Sequence, residues 1–296
     1  MKKILILLTV VSFLFGSCSN RSHKSSSGAQ ADSSAVFVSI LPLKYFAKKI
    51  IGDRFPVEVM VPPGASPETY SPTPRQMQKL SQAAAYFAVG HLGFETAWLQ
   101  RLREANQNME VFFTDTGIDL IKGDTLEHGD HAHKEGIDPH IWTSPKQAKQ
   151  IAINIFEGMV AIDPGNREYY YQNLQKLFDE IARVDHEVTM KLALIKGKRF
   201  LIFHPSLGYL ARDYGLIQES IEFEGKSPSP KHMQEIVEEA RQQHIKLILI
   251  QKQFDKADAE TIAKEIHADV VQIDPLDEDW PKETLSIAAK LFDSLW

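Results

Sequence analysis

The chain has almost no cysteine: a single residue, Cys18, in 296. That excludes an internal disulfide and a thiolate zinc knuckle, so any transition-metal site must be built from His, Asp and Glu. Positive charge is also in short supply. Lys plus Arg number 33 against 39 Asp plus Glu, a net charge of −6, which argues against bulk affinity for nucleic acid or anionic lipid. There is no glycine-rich phosphate loop, no serine-nucleophile elbow, no HExxH pair and no internal repeat. The apolar run at 4–15 is too short to cross a hydrocarbon core of ~30 Å. What is present is ordinary globular composition, 43% hydrophobic and 24% charged, which rules out a disordered chain, a collagen-like repeat and a coiled coil.

The lone cysteine has a context. Lys2 and Lys3 precede the apolar run, and Phe15-Gly16-Ser17 leads into Cys18. This is the layout of a signal peptide, and small residues before a cysteine resemble a bacterial lipobox. Residues 1–17 are therefore expected to be removed and Cys18 to be lipidated; the alternative is a plain signal peptide with a buried cysteine. Residues 18–35 contain no large apolar side chain and read as a flexible tether. The folded part is then expected at the extracytoplasmic or periplasmic face of a bacterial membrane, held by a lipid anchor.

Beyond the tether, strand and helix signals alternate. Strand-like runs lie at 36–40, 57–61, 84–89 and 110–114, with helical segments at 43–51, from Thr73-Pro74, and at 95–105 and 145–160. From Tyr170 to Ile195 apolar residues recur at helical spacing, Asp163-Pro164 opens the element and Gly197 stops it. About 33 residues at 1.5 Å each predict a rod of roughly 50 Å, or two helices with a break between them. Strand-like runs resume at 199–203, 217–222, 246–250 and 269–273, with helices at 206–213, 230–243, 258–266 and 281–295. The pattern predicts an α/β protein: a lobe over 36–162, a linking helix over 163–196 and a second lobe over 197–296, each lobe with a mainly parallel sheet.

In parallel α/β lobes, sites collect in loops after the carboxyl ends of strands. Four such loops carry metal-capable side chains: Glu68 after 57–61, His140 after 110–114 and a long loop, His204 directly after 199–203, and Asp274 directly after 269–273. Two imidazoles and two carboxylates would make a neutral set around a divalent zinc, manganese or iron(II) ion. Each residue also has a plainer reading. Glu68 could be a solvated loop residue, His140 a helix-entry residue, His204 a backbone hydrogen-bonder and Asp274 a turn or cap. The stretch 122–136 is different: His128, His131 and His133 stand among acidic and small residues. It reads as a mobile loop able to catch cations weakly. The other histidines, His23, His91, His186, His232, His244 and His267, show no partner pattern and read as surface or packing residues.

These segments resemble the zinc/manganese-type solute-binding lipoproteins of bacterial ABC transporters. The matching stretches are PPGASPETYSPTP at 62–74, DPHIWTSP at 138–145, FHPSLGYLARDYGL at 203–216, PSPKHMQEI at 228–236 and IDPL at 273–276. The resemblance implies two α/β lobes joined by one long rigid helix, with a divalent metal in the cleft between them. It also implies delivery to a membrane permease driven by a cytoplasmic ATPase, and no enzymatic activity. His140, His204 and Asp274 carry over as ligands, whereas the family usually has histidine where this chain has Glu68. Glu68 could coordinate through oxygen or leave three protein ligands and a water. Histidine at 204 leans toward zinc, because manganese-type members often have a carboxylate there; the harder oxygen donors blur that preference, so zinc is the expected ion, with manganese or iron the alternatives. A metallohydrolase and an adhesin are the competing functions.

Overall fold

A computed structural model describes residues 34–122, 136–222 and 229–296, together with the backbone of 126–128 and 131–133. Cys18, the signal segment and most of the tether lie outside the described residues. In the first lobe, strands β1 (Val36–Val38), β2 (Val57–Val59), β3 (Ala85–Ala88) and β4 (Glu110–Phe113) form one parallel sheet in the order β2-β1-β3-β4. Every residue of central β1 and β3 is buried, while edge strands β2 and β4 are only partly covered. A parallel sheet covered by helices on both faces requires such unbroken apolar runs. Four helices complete the lobe: α1 (Leu41–Ile51), α2 (Pro74–Leu80), α3 (Gly93–Ala105) and α4 (Pro145–Ile162).

Two helix starts bear on the later site. At α2 the Thr73 side chain accepts from the Gln76 backbone N–H, Gln76 in turn accepts from the Thr73 N–H, and Pro74 occupies the first turn. The Gln76 side chain also donates to the Met60 carbonyl at 2.6 Å and accepts from the Tyr70 hydroxyl at 2.6 Å, which pins both ends of the loop between β2 and α2. At α3 the buried Glu95 carboxylate accepts from the Val89 and Gly90 backbone N–H groups and from the Ser39 hydroxyl. That fixes the first turn of α3 against β3.

The His-rich stretch differs from the expected unstructured loop. Strands β5 (Leu126–His128) and β6 (His131–His133) pair antiparallel, with His128 opposite His131, and Lys122 bridges Ile137. The side chains of His128, His131 and His133 lie outside the described residues. Three-residue strands are too short for alternation to announce them in sequence.

The linking element is α5 (Arg167–Leu192), entered through a 3₁₀ turn at Pro164–Asn166 and left through another at Ala193–Ile195. Its 26 residues span about 39 Å, and with the two 3₁₀ turns the helical stretch runs from Pro164 to Ile195, close to the expected 163–196. Tyr170, Leu174, Leu177, Ile181, Val184, Val188 and Leu192 form its buried stripe. The second lobe contains β7 (Arg199–Ile202), α6 (Gly208–Tyr214), β8 (Ile217–Ser220), α7 (Pro230–Gln242), β9 (Leu247–Gln251), α8 (Ala257–Ile266), β10 (Asp269–Ile273) and α9 (Trp280–Leu295). Its sheet is parallel in the order β10-β9-β7-β8. Helix α5 packs on α1 and α4 of the first lobe and on α9 of the second. One apolar core runs from Val36 through the α5 stripe to Leu295, and a smaller one lies on the far side of the second sheet.

Candidate metal centre

The four expected ligands all stand in loops at carboxyl ends of strands, and the structure brings three of them together. One ligand atom each from Glu68, His140 and His204 lies within 4.8 Å of the others. His140 follows Asp138-Pro139, at the entry to a 3₁₀ turn over Ile141–Thr143. Its backbone N–H and ring Nδ1 both reach Asp138 Oδ1, at 2.9 and 2.8 Å. His204 stands two residues past β7, with Nδ1 at 3.2 Å from Glu222 Oε2. A carboxylate only accepts, so in the neutral rings both Nδ1 atoms carry the proton and both Nε2 atoms present a lone pair.

Those Nε2 atoms face each other at 3.1 Å. Two lone pairs at that distance repel unless a proton or a cation lies between them. Nitrogen donors ~2.0–2.1 Å from a tetrahedral zinc would stand about 3.3–3.4 Å apart, so the observed spacing fits an ion with little adjustment. Glu68 offers a third donor atom. Its Oε1 is buried and has no hydrogen-bond partner in the described structure, a costly state that a cation would relieve. A cavity of about 30 Å³ bounded by these residues, Trp142 and Phe254 has room for an ion or a water.

The sequence did not single out several side chains that hold this arrangement. Asp138 and Glu222 orient the imidazoles from behind, and Glu222 is only 5% exposed. The Gln251 side chain donates to the His204 carbonyl at 2.6 Å and to the Ser206 hydroxyl at 2.7 Å, closing the turn after β7. The Phe254 ring stacks on His204 at 5.5 Å between centroids. Gly93 abuts Glu68: a Cβ there would lie 2.8 Å from Glu68 Oε2 and 2.9 Å from its carbonyl oxygen. Asp138 carries a signal in sequence, two residues before the ligand in DPHIW. Glu222 follows the end of β8, where the strand-end rule could have found it.

Asp274 borders the cluster without joining it. Its Oδ1 accepts from Gln253 Nε2 at 3.0 Å, its Oδ2 pairs with Lys252 Nζ at 3.2 Å, and its backbone N–H donates to Glu283. The next residue, Pro275, lines the ligand cavity, and its carbonyl accepts from Trp142 Nε1 at 2.8 Å. Trp280 Nε1 donates back to the Trp142 carbonyl at 2.7 Å. The two indoles thus tie the His140 segment to the second lobe.

Electrostatics favour a cation. Burial alone would lower the His140 pKa, but Asp138, with Glu68 and Glu222, outweighs it and raises the ring above the ordinary histidine value. Three carboxylates around two imidazoles thus attract positive charge, whether a proton or a metal.

The fold that carries these residues has counterparts among known proteins. A crystal structure of ZnuA superposes with a TM-score of 0.82 at 36% identity, covering 90% of this chain and 100% of that one. The high-affinity zinc uptake system protein ZnuA of Bacillus subtilis is 28% identical over 275 residues, 89% of this chain and 85% of the relative. The manganese ABC transporter substrate-binding lipoprotein PsaA of Streptococcus pneumoniae is 29% identical over 281 residues, 90% of this chain and 87% of the relative. The model of the family described as zinc-uptake complex component A, periplasmic, matches residues 36–288, and the chain belongs to that family of substrate-binding transporter components, which are not enzymes.

Proposed function

We propose that the protein captures zinc outside the cytoplasm through Glu68, His140 and His204 and hands it to an ABC permease for uptake. The observation that carries the reading is the convergence of the three donors, with an unpartnered buried oxygen on Glu68 and a carboxylate behind each imidazole. Two nitrogens and one oxygen suit zinc, and the Irving–Williams order places zinc above manganese for such a set. The fourth position falls to a water or to Asp274. Manganese is the second reading, and Glu68 is what favours it, since an oxygen donor stands where the related proteins usually have nitrogen. Cys18 would anchor the chain by its lipid, and His128, His131 and His133 would gather further ions weakly.

Competition titrations against a zinc chelator, with zinc and manganese in parallel, test this. Zinc should bind more tightly than manganese, and His140→Ala and His204→Ala should each weaken it by orders of magnitude. Tighter manganese binding would reverse the assignment. Unchanged zinc affinity in either variant would remove that residue from the site.

A further inference from the structure

Asp274 is one residue from the ligand cavity, yet each of its carboxylate oxygens already has a partner. Lys252 Nζ holds one oxygen at 3.2 Å and Gln253 Nε2 the other at 3.0 Å. Both partners come from the segment directly after β9, the parallel neighbour of β10, so register itself brings them beside Asp274. The Lys252 backbone N–H also donates to the Ile273 carbonyl at 3.1 Å. Gln253 lines the ligand cavity while it holds the carboxylate. The Lys252 side chain is 55% exposed and makes no ligand contact of its own.

We infer that Lys252 is a specificity-determining residue: by pairing with Asp274 it keeps a second carboxylate out of the metal site. The inference rests on the trio being the metal site. With Asp274 withheld, the ion meets two nitrogens, one carboxylate and a water, a set that satisfies zinc. With Asp274 released, it meets two carboxylates, and harder ions that prefer oxygen gain more than zinc does. Lys252 thus sets the contrast between the two metals while leaving the primary donors unchanged.

The test is the ratio of zinc to manganese affinity, measured by chelator competition in the full folded chain. Lys252→Met should lower that ratio roughly threefold to fivefold, the upper range for an exposed ion pair, and Lys252→Arg should restore it. Losing a nearby positive charge tightens all divalent ions alike and leaves the ratio unchanged, so the ratio isolates a new oxygen ligand. In an Asp274→Asn background, Lys252→Met should have no effect on the ratio. A parental ratio in Lys252→Met, or an equal change with and without Asp274, would overturn the inference. A parent protein whose zinc affinity ignores His140→Ala would overturn the site itself, a separate and distinguishable failure.

Discussion

His204 is held in place by a residue eighteen positions away, and this pairing follows from the sheet. Strands β7 and β8 run parallel with Ile202 opposite Ser220, so the residues two further along, His204 and Glu222, emerge side by side. A carboxylate behind a ligating imidazole fixes its tautomer and strengthens its donor nitrogen. Glu222→Gln should therefore weaken zinc binding about 10- to 100-fold while preserving volume; calorimetric titration showing parental affinity would dismiss the role. The same logic gives a pH dependence at His140. Its raised pKa means the metal-free fold holds a proton there above the usual imidazole range, and that proton must leave before metal binds. Zinc affinity should consequently fall with decreasing pH, beginning above the ordinary value of ~6.5. The metal-free protein should show the opposite trend at this residue. The stability gained from the raised pKa is complete below the unfolded value and is lost as pH rises through the folded one. Titrations across that range, with and without Asp138→Asn, would show whether the onset moves down when the carboxylate is neutralised; an unmoved onset would separate Asp138 from the effect. Glu68, His140 and His204 were legible as strand-end residues in sequence. Glu222 also stands at a strand end, but its pairing with His204 could not be read, because it is defined only once the order β10-β9-β7-β8 is known.

At the scale of elements, the central strands β1, β3 and β9 were readable because both their faces are covered, so unbroken apolar runs mark them. The α5 stripe was equally clear from its spacing. The 3₁₀ turns at both ends of α5 and the hairpin β5–β6 were not, since neither has a period long enough to detect. The placement of α3 could not be read either, and it matters for function. Glu95 secures its first turn through the Val89 and Gly90 N–H groups, and Phe94 N–H donates to the Pro67 carbonyl at 2.8 Å. Together these set Gly93 flush against Glu68. Gly93→Ala would drive a methyl group into the Glu68 carboxylate and carbonyl. Its expected result is a loss of zinc affinity close to that of Glu68→Ala, with helix content retained in circular dichroism. Normal affinity in Gly93→Ala would mean that the loop can move aside or that Glu68 is not a ligand.

For the whole molecule, the lobes share one apolar core through the α5 stripe, and the Trp142–Trp280 pair adds hydrogen bonds across the same boundary beside the site. Association with the membrane is expected to depend on the other end of the chain. Cys18→Ser should shift the protein from the membrane fraction to a soluble or unprocessed form, and equal membrane retention in the variant would refute lipidation at that residue. The shared core also has a consequence for how long an ion stays. Because opening the lobes would expose α5's apolar stripe, a large hinge motion is costly, and an ion held at the proposed site would leave through movements of its loops. At a given affinity, a body that resists opening would slow release and capture of an ion together. On the proposed function, hand-off would then require the receiving protein to open the site, for which one loop would suffice.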